Sequence, residues 1–277
     1  MKKVKSELPL SYVTVKTTKS RIDKGLLAIP VSLVDIFPKK SNKIYLVNES
    51  GILEAKSFTP YKSSSRECRI GGLRAFYDNY QVLDGEELVI QLLDYDKFRI
   101  IPERIFQNIL TSRFTQFKKS KDDDEIDNIL SQISKISNLQ KIDILKNEYV
   151  LLSNEKFKNR KKVEKNTSIV RESVPYSIRK ILLELYEGKC QITNFSFLTK
   201  KNIPYFELHH IDPEKGNHLK NLLVVSPNTH AQFTHANLIQ YFDDEGWLRK
   251  VKFNNHEYSV FQIIDNLPKQ FEKEIHF

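Results

Sequence analysis

The 277-residue chain is 40% hydrophobic and 11% aromatic, which excludes disorder over most of its length and leaves enough apolar material for two cores. No run reaches the roughly 18 apolar residues of a membrane span, no apolar signal segment follows the Lys-rich start, and two distant cysteines, Cys68 and Cys190, exclude a disulfide framework and a four-cysteine zinc site, so a soluble cytoplasmic protein is expected. The net charge of +9 is unevenly spread, with +5 on residues 1–102, +4 on 103–173 and zero on 174–277. That excess points either to a polyanionic partner or to nothing more than a Lys-, Ile- and Asn-rich composition.

Residues 10–101 read as strands. Tyr12-Val13-Thr14-Val15-Lys16 alternates, with Val13 and Val15 on one face. Further strands are expected at Gly25–Ile29, Lys43–Val47, Ile52–Phe58, Arg66–Ile70, Glu87–Leu93 and Lys97–Ile101, with a hairpin turn at Asp94-Tyr95-Asp96. Two short helices interrupt them, Val31–Phe37 after Pro30 and Leu73–Tyr80 after Gly71-Gly72. Seven short strands with two small helices predict a barrel rather than a doubly wound sheet.

Residues 103–173 are polar, lack Gly and Pro, and read as a helical linker. Ile126, Ile129, Leu130, Ile133, Ile136 and Leu139 keep helical spacing, a stripe suited to a dimer helix or to packing on its own domain. The acidic run Asp122–Glu125 opens that helix, where the dipole favours it. Lys156–Lys165 is basic and almost without apolar residues, a tether or a contact for DNA phosphates. Residues 174–277 form a second globular region. It begins with an amphipathic helix at Val174–Tyr186 stopped by Gly188, followed by strands at Tyr205–Ile211 and Asn221–Val225 and a helix from Pro227.

Four of seven histidines fall in that region between 209 and 230: His209, His210, His218 and His230. Leu208-His209-His210-Ile211 ends one strand, and Asn221 opens the next. Ser226-Pro227 then supplies an N-cap and a first helical position, placing His230 in the first turn. Two imidazoles from different elements can hold a divalent metal and leave positions open for water and a phosphate oxygen. Neighbouring strand residues face opposite ways, so His209 and His210 divide naturally into a ligand and a base. His235, about 140° around the helix from His230, is expected to face elsewhere. His218 either meets DNA or is simply exposed, and His256 and His276 are expected at the surface.

The segment Tyr186–Asn237 resembles the HNH nuclease family with its ββα-metal finger. The likeness rests on Glu207-Leu208-His209-His210-Ile211-Asp212-Pro213, Gly216, Asn221–Phe233 and the flanking Gly188-Lys189-Cys190. By position, the resemblance implies His210 as the general base, His209 and His230 as metal ligands, and Asn221 as the residue that braces the loop and orients the base. The metal implied is Mg²⁺ or another divalent ion, acting on the phosphate and the leaving oxygen. Many members carry paired CxxC knuckles. Here Cys190-Gln191-Ile192-Thr193 and Ser226 stand in those places, so no structural zinc is expected.

The first region resembles the B-three-type pseudobarrel of plant transcription factors and of some restriction-enzyme recognition domains. Ser20–Pro30, Arg66–Tyr80 and Leu83–Ile90 carry the likeness. Lys16–Gly25 and Tyr61–Arg69 read as two basic loops, ordinary solvated loops or arms that grip a duplex. The resemblance implies Lys19, Arg21 and Lys24 on one DNA-binding arm and Arg66 and Arg69 on the other.

The expected protein is α+β with two domains: a seven-stranded recognition pseudobarrel over residues 1–102, a helical linker over 103–173, and a ββα-metal nuclease domain over 174–277. The expected function is a sequence-specific, restriction-type DNA endonuclease acting on double-stranded DNA, as a homodimer or by sequential nicks, with no membrane partner. A modification-dependent nuclease, a DNA-binding regulator with an inactive finger and a mobile-element nuclease are its rivals.

Overall fold

The computed structural model describes residues 4–8, 10–48, 51–64, 66–160, 162–165 and 168–267. The chain is α+β, and its contacts divide it into two compact units. One runs to Arg113 and takes in Lys135–Asn138, while the other comprises Phe114–Ser134 and resumes at Leu139.

The first unit is built on a mixed sheet of eight strands. These are β1 (Val4–Leu8), β2 (Leu10–Lys16), β3 (Leu27–Pro30), β4 (Lys43–Val47), β5 (Leu53–Lys62), β6 (Glu67–Ile70), β7 (Glu87–Asp94) and β8 (Lys97–Pro102). Their order is β1-β2-β7-β8-β4-β5-β6-β3. All neighbours run antiparallel except β4 and β8, and β3 comes back beside β2, so the sheet nearly closes into a barrel. The seven expected strands are present, with β1 added outside β2.

Period-2 burial explains β8, where Phe98, Ile100 and Pro102 point inward and the intervening residues are half exposed. The core is plugged from two sides. A 3₁₀ turn at Val31–Ile36 delivers Leu33, Ile36 and Phe37, and helix α2 (Arg74–Tyr80) delivers Tyr77. Phe37 stacks on Phe98 at 4.4 Å and on Phe58 at 5.7 Å. Two expectations need correcting. Lys16–Gly25 is not a plain loop, because Lys19–Asp23 forms a short helix, α1. Tyr61–Arg69 is not a long loop either, because β5 runs to Lys62 and β6 begins at Glu67.

Three helices follow: α3 (Glu103–Lys119), α4 (Asp123–Ser137) and α5 (Lys141–Ser153). Asp122 Oδ1 accepts from Glu125 N at 2.7 Å, capping α4 at its acidic end. Ile126, Ile129, Leu130 and Ile133 are buried within the chain, while Ile136 and Leu139 at the end of the stripe are half exposed. After α5 comes a hairpin of β9 (Lys162–Lys165) and β10 (Ser168–Arg171), which places part of the basic stretch in a strand rather than a tether.

Helix α6 (Tyr176–Tyr186) buries Ile178, Ile181, Leu182 and Leu185 and ends at Glu187 and Gly188, both at positive φ. A Cβ at Gly188 would also stand 2.4 Å from Pro204, so this turn requires glycine. Tyr149 of α5 stacks on buried Trp247, and its hydroxyl lies 3.1 Å from that of Tyr186. Strands β11 (Phe197–Leu198) and β12 (Pro204–Tyr205) form a small ribbon. A finger of β13 (Glu207–His210), β14 (Leu222–Val225) and helix α7 (Pro227–His235) follows, and then a sheet of β15 (Leu238–Phe242), β16 (Leu248–Phe253) and β17 (His256–Ser259). Leu223, Val225, Phe233, Val251 and Phe253 share one core with Cys190, packing finger against sheet. Gln191 seals the edge of β14, since its Oε1 accepts from Val224 N at 2.7 Å while its Nε2 donates to Phe261 O at 2.8 Å.

Among the described residues, no helix is long and apolar enough to cross a membrane. His276 lies outside the described residues.

Candidate active site

The finger is an antiparallel hairpin with a helix laid on it. Glu207 pairs with Val225 and His210 with Leu222. Ser226 caps α7 by accepting from Thr229 N, and Pro227 takes the first helical position. Strand alternation puts Glu207 and His209 on one face and His210 on the other. The helix lies over the first face. The rings of His209 and His230 stand 5.2 Å apart, and His209 stacks on Phe233 at 4.0 Å. Burial, helped by the neighbouring His230 and His210, pulls the His209 pKa down to about 4. Its imidazole is therefore neutral near pH 7, the form in which a histidine ligates metal.

His230 has a partner that motif reading left without a role. Its Nδ1 donates to Glu207 Oε2 at 2.5 Å. That bond fixes the ring's tautomer and leaves Nε2 as the nitrogen with the lone pair. Two imidazoles, one neutral by burial and one oriented by a carboxylate, are a donor set that fits a divalent cation. Among the described residues no larger cluster of His, Cys, Asp and Glu adds to it.

On the opposite face, His210 Nε2 bonds Asn217 Oδ1 at 2.9 Å. The amide of Asn217 is itself oriented, because its Nδ2 donates to Ser173 O at 3.1 Å. The amide therefore presents its oxygen to His210, so Nε2 carries the ring proton and Nδ1 is the basic nitrogen. Asn217 had no signal in the sequence, since a loop Asn is ordinary turn chemistry.

Asn221 is buried and makes the loop's internal frame. Its Oδ1 accepts from Asp212 N at 2.8 Å, and its Nδ2 reaches Asp212 O, Lys215 O and Gly216 O at 3.0, 3.3 and 3.1 Å. It contacts the loop that follows His210, and Asn217 is a direct side-chain partner of His210. His218 is neither exposed nor poised for DNA. It is buried, donates from Nε2 to Glu155 O at 2.8 Å, accepts from Lys220 N at Nδ1, and stacks on Phe157 at 4.0 Å. His235 and His256 are exposed.

The basic stretch runs beside this loop. Gly216 N donates to Lys158 O at 2.7 Å, Arg160 N donates to Glu214 O at 3.0 Å, and Asn159 bridges Lys215. A Cβ at Gly216 would sit 2.8 Å from Lys158 O, so glycine permits the approach. Lys158 is four-fifths exposed, and Lys215 Nζ stands over the Phe157 ring at 5.4 Å.

In the first unit, Lys19, Lys24 and Arg66 are exposed, and Arg66 takes a positive φ of 52° in the turn between β5 and β6. Arg21 and Arg69 are held by one carboxylate. Glu67 Oε2 lies 2.9 Å from Arg21 Nη2, and Glu67 Oε1 lies 2.7 Å from Arg69 Nε. The structure thus brings together two of the five candidate DNA-binding residues, through an acid not singled out from the sequence.

No family model matches the chain, and no curated protein matches it. A solved structure of a hypothetical Arabidopsis thaliana protein aligns with 32% of this chain and 84% of its own, at 19% identity and a TM-score of 0.26, a likeness that carries no argument.

Proposed function

We propose that this chain is a sequence-specific, metal-dependent DNA endonuclease of the HNH type, whose second unit cuts and whose first unit selects the site. The observation that carries the reading is the division of chemistry across β13. The His209–His230 pair lies between β13 and α7, 5.2 Å ring to ring, while His210 faces the other way onto an oriented amide.

In this reading His209 and His230 hold the ion. When bound, Mg²⁺ or another divalent ion offsets negative charge on the phosphate and on the leaving oxygen. His210 removes the proton of the attacking water at Nδ1 while Asn217 keeps Nε2 protonated and the ring fixed. The water oxygen bonds to phosphorus as the bond to the leaving oxygen breaks. Asn221 keeps the loop after His210 in shape. The exposed cations Lys156, Lys158 and Lys215 lie along that loop, where they can neutralise backbone phosphates. In the first unit, Lys19, Arg21, Lys24, Arg66 and Arg69 supply the contacts that choose a sequence.

The test is digestion of unmethylated and methylated phage DNA by the full chain, with Mg²⁺ and with EDTA. Discrete Mg²⁺-dependent fragments from unmethylated DNA are expected. Fragments from methylated DNA alone move the reading to a modification-dependent nuclease. No cleavage of either DNA, with retained salt-sensitive binding, overturns the nuclease and leaves a DNA-binding regulator.

A further inference from the structure

The barrel unit contains a cavity of about 470 Å³, within the size range of small-molecule sites. Its walls are mainly apolar and include Leu46, Phe76, Tyr80, Ile100 and Ile136. It is an open cleft beside β4, β5, β8, α2 and the end of α4, and most of its lining residues are exposed or half exposed.

Among the described residues, the charges at the cavity are unbalanced. Arg99 of β8 lines it. Arg99 Nη1 donates to Lys135 O at 2.8 Å and to Gln91 Oε1 at 3.3 Å. Those bonds account for its contact with the last turn of α4. Nε and Nη2 have no acceptor among the described residues, and no carboxylate there pairs with this guanidinium. Burial lowers the Arg99 pKa, and no acid among the described residues offsets it. The acid lining the cavity, Glu54, is committed to Lys56 at 3.0 Å. Lys135, also at the wall, adds a further positive charge. A half-buried guanidinium with spare donors, set in an apolar wall, offers a charge-assisted seat for an anionic head group.

We propose that this cavity is a binding site for a small organic anion, an apolar or aromatic body with one carboxylate or phosphate head seated on Arg99. The body packs against Phe76, Tyr80 and Ile136, and the head takes the guanidinium donors left over from Lys135 and Gln91. Asn48 and Asn79, also at the wall, supply neutral polar groups for orientation. The site is independent of the nuclease reading, since none of its residues belongs to the finger. A free carboxylate and a nucleotide share the required chemistry, and the test separates them.

The full chain is titrated calorimetrically with 1-naphthoate, with its neutral alcohol analogue 1-naphthalenemethanol, and with dAMP. Either 1-naphthoate or dAMP is expected to bind more tightly than the alcohol, by about tenfold or more, the scale of a charge-assisted hydrogen bond. Preference for naphthoate identifies a free carboxylate as the source, and preference for dAMP a nucleotide. Arg99→Met should abolish the preference for the anion and leave the alcohol unchanged. Ala75→Trp, at an exposed position on the cavity wall, should block all three without lowering the melting temperature. Equal binding of alcohol and anions, an anion preference that survives Arg99→Met, or full binding to Ala75→Trp each overturns the site.

Discussion

Glu207 Oε2 accepts a 2.5 Å hydrogen bond from His230 Nδ1 across the gap between β13 and α7. The bond makes Glu207 the residue that sets which nitrogen of His230 is available. Carboxylates in this relation to a ligating histidine typically contribute 10–100-fold to metal affinity or activity. Glu207→Gln keeps the shape but lets either tautomer form. We expect cleavage at limiting Mg²⁺ to fall by about 10–100-fold, with partial recovery at high Mg²⁺. Unchanged activity across a Mg²⁺ titration would remove Glu207 from the site.

His210 and Asn217 carry the second prediction. In the nuclease reading, His210→Ala should abolish cleavage while leaving the gel shift on DNA intact, since the ring lies on the face away from His209 and His230. General-base removal costs on the order of 10²–10⁴ in rate. Asn217→Ala should lower kcat by a smaller factor and leave KM alone, because it removes only the group that holds the ring proton on Nε2. Equal losses in binding and rate for either variant would mean the loop has collapsed instead.

Glu67 joins Arg21 of α1 to Arg69 of β6, so the third prediction concerns DNA affinity. Both pairs are at least partly exposed and add little stability of their own. Their value lies in holding two guanidiniums side by side. Arg69→Ala should weaken DNA binding and lower the slope of log Kobs against log salt by about one, the signature of one lost phosphate contact. Glu67→Gln frees both guanidiniums, so non-specific binding should rise and discrimination between sites fall. An unchanged salt slope in Arg69→Ala would exclude it from the interface.

Asn221 makes four hydrogen bonds inside the finger with almost no exposure to water. Removing it strands the Asp212 amide and three carbonyls. Asn221→Ala should therefore cost about 2–4 kcal/mol. Urea denaturation followed by Trp247 fluorescence reads it directly, since Trp247 is buried in the same unit. A loss below about 0.5 kcal/mol would mean that water replaces the side chain without strain.

How much of this was legible in the residues alone depends on the range of the interaction. Strands with period-2 burial, such as Lys97–Pro102, and the Ser226-Pro227 cap are local features, and both stood in the sequence. The helix at Lys19–Asp23 was hidden because it is little more than one turn with a single apolar residue, Ile22, too short for periodicity to mark it. Strand β1 was masked by its Lys- and Glu-bearing composition. In the finger, the histidines were legible because spacing and caps are short-range. Their partners were not. Asn217 meets Ser173 across 44 positions, and Glu67 meets Arg21 across 46. Only the folded chain sets such pairs side by side, and a lone Asn or Glu gives no hint of its partner.

His218 supplies the last prediction, which concerns stability against pH. It is buried and held as the neutral ring, donating from Nε2 to Glu155 O and accepting at Nδ1 from Lys220 N. Protonation would set an N–H against an N–H. Burial accordingly lowers its pKa below the ordinary 6.5. A depressed folded pKa means that the unfolded chain takes up the proton first. The stabilisation is complete above about pH 6.5 and is lost as pH falls through the lowered folded value. His209, drawn down to about 4, works in the same direction. The urea midpoint should therefore fall between pH 7.5 and pH 5. His218→Phe should be less stable than the parent at pH 7.5, because Glu155 O and Lys220 N lose their partner. Its midpoint should also fall less steeply with pH, since only His209 then remains of the two. Parallel pH profiles for parent and variant would show that His218 gains its proton equally well in both states, against the burial and hydrogen bonds that hold it neutral.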